Sequence, residues 1–334
     1  MESENPLVSI VVPVFNAEQT LEACVSSIIG SIAEHKLVCS YELLLVEDCS
    51  TDSSAMIAAR LAEGLPFCRV VRHDANLGLA QARNTGIRES RGEYIVWVDS
   101  DDLVSLDWFE SIVSALNKNN GKPDVVAFDF VKRFPDGRLE PNYYGEKRLL
   151  LKELGILHNP AHWVRDVLRS LQTFSFTVTK VFRRQLLLEF MFDAPRGALE
   201  DMGFMLSAAP AIKNVYYIPK QLYIYCISDE GLVGTLNTSR RLLHVRYAIE
   251  KIKKLPFAFK IAAMVSIAQI LIEVRRASLL SHDEKPGRES MKYMRKAIPY
   301  VLMDTALPYK AKVVYLLSAF PFFTHFLKKM WRIT

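Results

Sequence analysis

Cysteine is scarce and irregularly placed in this chain. Cys24, Cys39, Cys49, Cys68 and Cys226 form an odd set with no C-x-x-C pair. That pattern excludes a disulfide framework and a zinc ribbon, and it suits reduced thiols in a cytoplasmic protein. No G-x-G-x-x-G follows the first apolar run, and no G-x-x-x-x-G-K-[ST] occurs. The dinucleotide fingerprint and the P-loop are thus absent as local signatures. Any bound phosphate has to be held by a metal and basic side chains. The opening MESENPLVSI lacks a basic segment followed by an apolar one, so no secretory signal is expected. Two apolar stretches near the end, Ile261–Ile272 and Val313–Leu327, are too short for the roughly 20 residues that a spanning helix needs. There is no internal repeat and no low-complexity tract.

What remains is an ordinary globular composition: 334 residues, 50% hydrophobic and 24% charged. At about 100–200 residues per domain, two domains are expected. The net charge of +5 is unevenly spread. Residues 236–334 carry 19 Lys and Arg against 6 Asp and Glu, or +13, and the other 235 residues carry 23 against 31, or −8. An acidic front and a basic rear imply different partners for the two parts.

The front alternates. Leu7–Phe15 (LVSIVVPVF), Tyr41–Glu47 (YELLLVE), Phe67–Arg72, Glu93–Val98 (EYIVWV) and Val125–Val131 read as strands. Between them Thr20–Ile29, Ser53–Glu63, Leu79–Glu89 and Leu106–Asn117 have helical spacing. Alternation of this kind predicts an α/β fold with βαβ units and a mostly parallel sheet flanked by helices. After Phe130 the rhythm breaks, with a helix expected over Pro160–Leu171 and strands at FTVTKVF, VYYIP and LYIYC. From Thr238 onward the chain reads as helices. The expected divisions are residues 1–235, comprising 1–130 and 131–235, and a basic helical tail, 236–334.

Polar residues interrupt the strands at three points: Pro13–Asn16 after the first, Glu47-Asp48 after the second and Asp99-Ser100-Asp101-Asp102 after the fourth. In an open parallel sheet these points share one rim, where ligands bind. Hard oxygen ligands such as Asp99, Asp101 and Asp102 suit Mg2+ or Mn2+, ions that take one or two carboxylates and complete their shell with water and phosphate. The competing reading is helix capping, and it fits Asp102 best. Arg83 is a basic residue able to hold phosphate. Glu200-Asp201 reads by itself as an acidic pair at a helix start.

Six stretches, in order, carry a resemblance: VSIVVPVFNAEQTLEACVSSI, YELLLVEDCSTDSS, NLGLAQARNTGI, RGEYIVWVDSDD, TKVFRR and LEDMGF. Over residues 7–230 the chain resembles the inverting family 2 glycosyltransferases of the bacterial surface-polysaccharide type, which have the GT-A fold. The resemblance implies that Pro13, Phe15 and Glu18 lie where the nucleotide binds. Asp48 matches the base-binding acid of the family's D-D-G-S pattern, which here reads Glu47-Asp48-Cys49-Ser50. Asp99 and Asp101 match the D-x-D pair that holds Mn2+ or Mg2+, with Asp101 as direct ligand and Asp99 toward ribose or metal. Arg83 lies among the nucleotide-binding residues. Glu200-Asp201 matches the E-D pair whose aspartate acts as catalytic base. The implied reaction moves a sugar from a nucleotide-diphosphate donor, UDP-linked by resemblance, to a glycan or lipid-linked glycan hydroxyl. The Q-x-x-R-W of processive synthases is absent, which points to single-residue transfer. No nucleic-acid partner is expected.

Two other functions compete: a metal-dependent nucleotidyl- or phosphotransferase, for which Asp201 would be dispensable, and a non-catalytic nucleotide-sugar-binding protein. The tail has two readings as well. Val313–Leu327 is interrupted by Pro321 and flanked by Lys310, Lys312, Lys328, Lys329 and Arg332, a pattern suited to lying on the anionic inner face of the cytoplasmic membrane. The alternative is packing on the catalytic core.

Overall fold

The computed structural model describes residues 5–34, 40–117, 122–142, 156–157, 176–193, 200–227, 238–280, 284–304, 309–323 and 327. The chain divides into two compact units, Met1–Pro160 with Ser175–Asp229, and Ala161–Phe174 with Glu230–Thr334. The expected helix at Pro160–Leu171 lies outside the described residues.

The first unit is built on a ten-stranded sheet. Its strands are β1 (Val8–Val14), β2 (Tyr41–Glu47), β3 (Cys68–Arg72), β4 (Tyr94–Trp97), β5 (Leu103–Val104), β6 (Val125–Arg133), β7 (Leu139–Asn142), β8 (Ile156–Leu157), β9 (Lys180–Arg183) and β10 (Val215–Cys226). The order is β3-β2-β1-β4-β9-β6-β10-β5, with β7 on β6 and β8 on β10. Strands β3, β2, β1 and β4 are parallel neighbours. Strand β9 is antiparallel to both β4 and β6, and β6 is parallel to β10. Six strands therefore run one way, giving the mostly parallel α/β sheet that the alternation predicts.

Helices α1 (Leu21–Ala33), α2 (Ser54–Gly64), α3 (Leu79–Glu89) and α4 (Trp108–Asn117) link the early strands, and α5 (Arg184–Glu189) and α6 (Glu200–Ala208) follow β9. Every residue of β1 is buried, the mark of a strand covered on both faces. Helix α3 approaches β1 so closely that a Cβ at Gly86 would meet Val11 Cγ1 at 2.4 Å. That contact fixes α3, and with it Arg83 and Asn84, against the sheet.

Three local expectations change. Leu103–Val104 is an additional short strand against β10, and α4 begins at Trp108, two residues after the expected start. Thr177–Thr179 is a 3-10 turn before β9. The VYYIP and LYIYC runs form one strand, β10, whose register on β6 shifts between Ile218 and Tyr223.

The second unit contributes α7 (Thr238–Lys253), α8 (Phe257–Leu280), α9 (Glu284–Met303), α10 (Tyr309–Ser318) and a 3-10 turn at Pro321–Phe323. Helix α8 contains the apolar Ile261–Ile272 stretch and buries Ala263, Val265, Ile267, Leu271 and Val274. The Tyr315 hydroxyl of α10 donates to the Met294 carbonyl of α9 at 2.9 Å. Among the described residues no helix is long and apolar enough to cross a membrane.

Candidate active site

The carboxyl ends of β1, β2 and β4 open on one rim: Val14 pairs with Glu47, and Val11 with Trp97. The polar interruptions emerge there, and each is tied down differently.

Asp48 is buried, and both oxygens of its carboxylate are held. Oδ1 accepts from the Leu77 N–H at 2.8 Å and lies 2.7 Å from His73 Nδ1, while Oδ2 accepts from the Gly78 N–H at 2.7 Å. His73 Nε2 is 2.9 Å from Thr85 Oγ1 on α3. Asp48 therefore pins the loop that leads into α3, and Gly78 supplies the φ of +87° at which that loop turns. Glu18 acts similarly, accepting the Ser53 N–H at 3.0 Å just before α2. Glu47 accepts the Ser50 N–H at 2.6 Å. Pro13 is buried within β1, whereas Phe15 is 45% exposed beside it. Of the residues matched to nucleotide binding, Phe15 thus presents open surface, and Asp48 and Glu18 shape the loops around it.

Arg83 is the centre of a second cluster. Its side chain is 1% exposed, yet it faces three carboxylates. Nη2 donates to Asp99 Oδ1 at 3.0 Å, and Nη1 donates to Glu200 Oε1 at 2.9 Å and to Asp201 Oδ1. The Phe192 ring lies 5.7 Å from the guanidinium carbon. Asn84, next along α3, holds the Phe192 backbone in both directions, donating to its carbonyl at 2.8 Å and accepting its N–H at 2.9 Å. The fold therefore brings the distant D-x-D and E-D pairs together, and Arg83 joins them.

One guanidinium against three carboxylates leaves negative charge in excess. Burial and the adjacent Asp201 push Glu200 up to about 7 against the pull of Arg83. Burial also raises Asp201, opposed by Arg83 and by hydrogen bonds from Thr177. The carboxylates hold Arg83 firmly in its charged form despite its burial.

Asp102 is no helix cap. It is buried; Oδ2 accepts the Tyr223 hydroxyl at 2.6 Å and Oδ1 accepts the Cys226 N–H at 2.7 Å. The Tyr223 oxygen in turn accepts the Asp99 N–H at 3.2 Å. Asp102 thereby fastens the Asp99–Asp102 turn to β10. Asp101 points outward, with no ion-pair partner among the described residues. Partial loss of water at the crowded rim and the charge of Asp99 push it up to about 6.

Residues 9–182 match the family model for glycosyl transferase family 2. The chain belongs to that family. Among family relatives, the chain is 34% identical over 224 residues to the uncharacterized glycosyltransferase EpsJ of Bacillus subtilis, covering 66% of this chain and 61% of the relative. It is 28% identical over 232 residues to the poly(ribitol-phosphate) beta-glucosyltransferase of Bacillus spizizenii, covering 67% and 33%. The chain thus spans about three-fifths of EpsJ, and 63% of the putative glycosyltransferase EpsH matched beside it. Among solved structures, Staphylococcus aureus TarS 1-349 in complex with UDP-GlcNAc superposes with a TM-score of 0.67 at 16% identity, covering 93% of this chain and 86% of that one. The mannosyltransferase PcManGT of Pyrobaculum calidifontis, in complex with GDP-Man and Mn2+, superposes at 0.54 with 17% identity, covering 99% and 89%. These likenesses establish the GT-A fold.

The family's divalent cation fits the residues present. Among the described residues no three or more His, Cys, Asp or Glu side chains form a closed metal site. Mg2+ and Mn2+ need no such cage, because one or two carboxylates with water and phosphate suffice. Asp101 is open, Asp99 is 27% exposed, and the surrounding charge is in carboxylate excess.

Several working residues carried no sequence signal of their own. Tyr223 and Thr177 contact the acid motifs from 121 and 24 residues away. Lys180, fully buried, has its Nζ 2.8 Å from the Phe176 carbonyl. Of the three, only Lys180 falls in one of the six matched stretches, TKVFRR.

Proposed function

We propose that this chain is an inverting, non-processive glycosyltransferase that moves one sugar from a nucleotide-diphosphate donor, UDP-linked in the first instance, to a hydroxyl of a glycan or lipid-linked glycan in surface-polysaccharide synthesis. One observation carries this reading: Arg83 holds Asp99 of the D-x-D pair and Asp201 of the E-D pair on a single guanidinium. The roles drawn from the resemblance then fall within one site. UDP is the choice because TarS, the closer of the two folds described above, is seen with UDP-GlcNAc.

Asp201 is the base. The acceptor oxygen attacks the anomeric carbon while the bond from that carbon to the diphosphate oxygen breaks. The hydroxyl proton passes to the Asp201 carboxylate, and the diphosphate departs with the bonding electrons. A positioned base of this kind contributes about 10²–10⁴ in rate. The negative charge gathered around Arg83 favours proton uptake, and burial raises the proton affinity of Asp201 further. Asp99 and Asp101 would hold Mn2+ or Mg2+, which acts as a Lewis acid on the leaving diphosphate. Phe15 offers an exposed face to the nucleotide, and the loops held by Asp48 and Glu18 border it.

The test is turnover of UDP-glucose, UDP-galactose, UDP-GlcNAc, GDP-mannose and a TDP-sugar with and without Mn2+, for wild type, Asp101→Asn and Asp201→Asn. The expectation is metal-dependent turnover of one donor, lost in both variants. Turnover that survives Asp201→Asn would favour a nucleotidyl- or phosphotransferase, and binding without turnover a non-catalytic protein.

The second unit suits docking on the anionic inner face of the cytoplasmic membrane. Tyr309 is 80% and Phe322 72% exposed, beside Lys310 and Lys312 on α10. The full chain should sediment with phosphatidylglycerol vesicles and not with phosphatidylcholine vesicles, and Phe322→Glu should release it. Equal sedimentation with both, or with neither, refutes the docking.

A further inference from the structure

The Asp201 carboxylate is gripped from a side that the family motifs do not mark. The Thr177 N–H donates to Oδ2 at 3.2 Å, and Thr177 Oγ1 donates to Oδ1 at 2.9 Å. One residue therefore binds both oxygens, which sets the plane of the carboxylate as well as its position. We propose that Thr177 is a positioning residue for the base, and that it leaves Oδ2 as the atom that takes the acceptor proton. The inference rests on the reading of Asp201 as base.

The choice of oxygen follows from counting acceptor sites. An ionised carboxylate offers about four lone-pair sites, two on each oxygen. Oδ1 uses both of its own, for Arg83 Nη1 and Thr177 Oγ1. Oδ2 uses one, for the Thr177 N–H, so among the described residues its second site is the free one. The Asp201 side chain is 13% exposed, enough for one edge to meet an incoming hydroxyl.

The holder is stiff. Thr177 opens the 3-10 turn Thr177–Thr179, and three donors converge on the Phe176 carbonyl: the Thr179 N–H at 3.4 Å, Thr179 Oγ1 at 3.0 Å and Lys180 Nζ at 2.8 Å. Lys180 then begins β9, which is paired on both sides, with β4 and with β6. Thr177 and Lys180 are both fully buried. A carboxylate held by a sheet-anchored turn has little freedom to rotate, and a displacement of about 1 Å in a reacting group can cost about 10²-fold.

The experiment compares wild type, Thr177→Val, Thr177→Ala, Thr177→Ser and Asp201→Asn in Mn2+-dependent turnover of UDP-glucose, UDP-galactose, UDP-GlcNAc, GDP-mannose and a TDP-sugar, with Tm for each. Valine keeps the volume and loses the hydroxyl donor; serine keeps the donor and loses a methyl. The expected result is a kcat about 10–100-fold lower in Val and Ala, with donor KM unchanged within about 3-fold, and near-wild-type kcat in Ser. A merely structural role would order kcat by Tm, with Ser and Ala falling together, and that order overturns the proposal. So does wild-type kcat in Val and Ala. If Asp201→Asn itself retains turnover, or wild type turns over none of the five donors, the base reading fails first and takes this inference with it.

Discussion

Arg83 Nη2 donates to Asp99 Oδ1 at 3.0 Å from a side chain that is 1% exposed. The same guanidinium reaches Glu200 and Asp201. Removing its charge leaves three carboxylates facing one another, and breaking a buried pair in this way costs about 3–5 kcal/mol. Arg83→Met should therefore unfold at clearly lower denaturant concentration than wild type. Arg83→Lys keeps the charge, but an ammonium cannot span three partners as the planar fork does. Its stability should lie between the two, while its turnover should fall by about 10²-fold or more, by analogy with lost positioning. Wild-type turnover in Arg83→Lys would show that charge alone suffices.

The Tyr223 hydroxyl donates to Asp102 and accepts from the Asp99 N–H. Tyr223→Phe leaves a buried carboxylate oxygen short of one donor, a loss of about 1–3 kcal/mol. It also frees the turn that presents Asp99 and Asp101. Loss of a group that orients a metal ligand commonly weakens metal affinity about 10–100-fold. The Mn2+ concentration for half-maximal turnover should rise in that range, with kcat at saturating Mn2+ much less affected. An unchanged Mn2+ dependence would mean that Asp102 and Tyr223 serve the fold alone.

The arrangement of these residues was only partly legible in the sequence. Strands β1, β2 and β4 are apolar on both faces and short, so each announces itself locally, and their polar ends place Asp48 and Asp99 on a rim. What the chain does with those acids depends on partners that periodicity does not encode. Arg83 and Asp201 are separated by 118 residues and Asp102 and Tyr223 by 121. Helix capping competes as a reading of Asp102 because an acid before an apolar run looks the same whether a helix or a two-residue strand follows. Asp48 stood out as an acid at a strand end. Its capture by Leu77 and Gly78 depends on how the loop before α3 folds back.

Lys180 provides a pH signature. Burial pulls it from an ordinary value near 10.5 to about 7, against the attraction of Asp201. Below about 7 both folded and unfolded chains carry the proton, and the folded state bears the full cost of a buried charge. Between about 7 and 10.5 the folded state releases the proton while the unfolded state keeps it, so stability from this residue rises with pH. Denaturant midpoints of wild type minus those of Lys180→Met should therefore increase from pH 7 to pH 9. A flat difference would place the folded-state value near the ordinary one.

Cys49 occupies the glycine position of the D-D-G-S pattern and has φ of +56°. A side chain in the left-handed region crowds its own carbonyl, at about 1–2 kcal/mol. The thiol recovers little, since its contact is a long 3.7 Å approach to the Asp74 carbonyl. Glycine would remove the crowding but gives the unfolded chain more conformational freedom, leaving a net gain of a few tenths to about 1 kcal/mol. Cys49→Gly should raise Tm, and the neighbouring Asp48 hydrogen bonds, made by a side chain on the preceding residue, should be unaffected. A lowered Tm would mean that the thiol packs more favourably than its single hydrogen bond implies, and that the backbone at this turn holds its shape with the side chain's help.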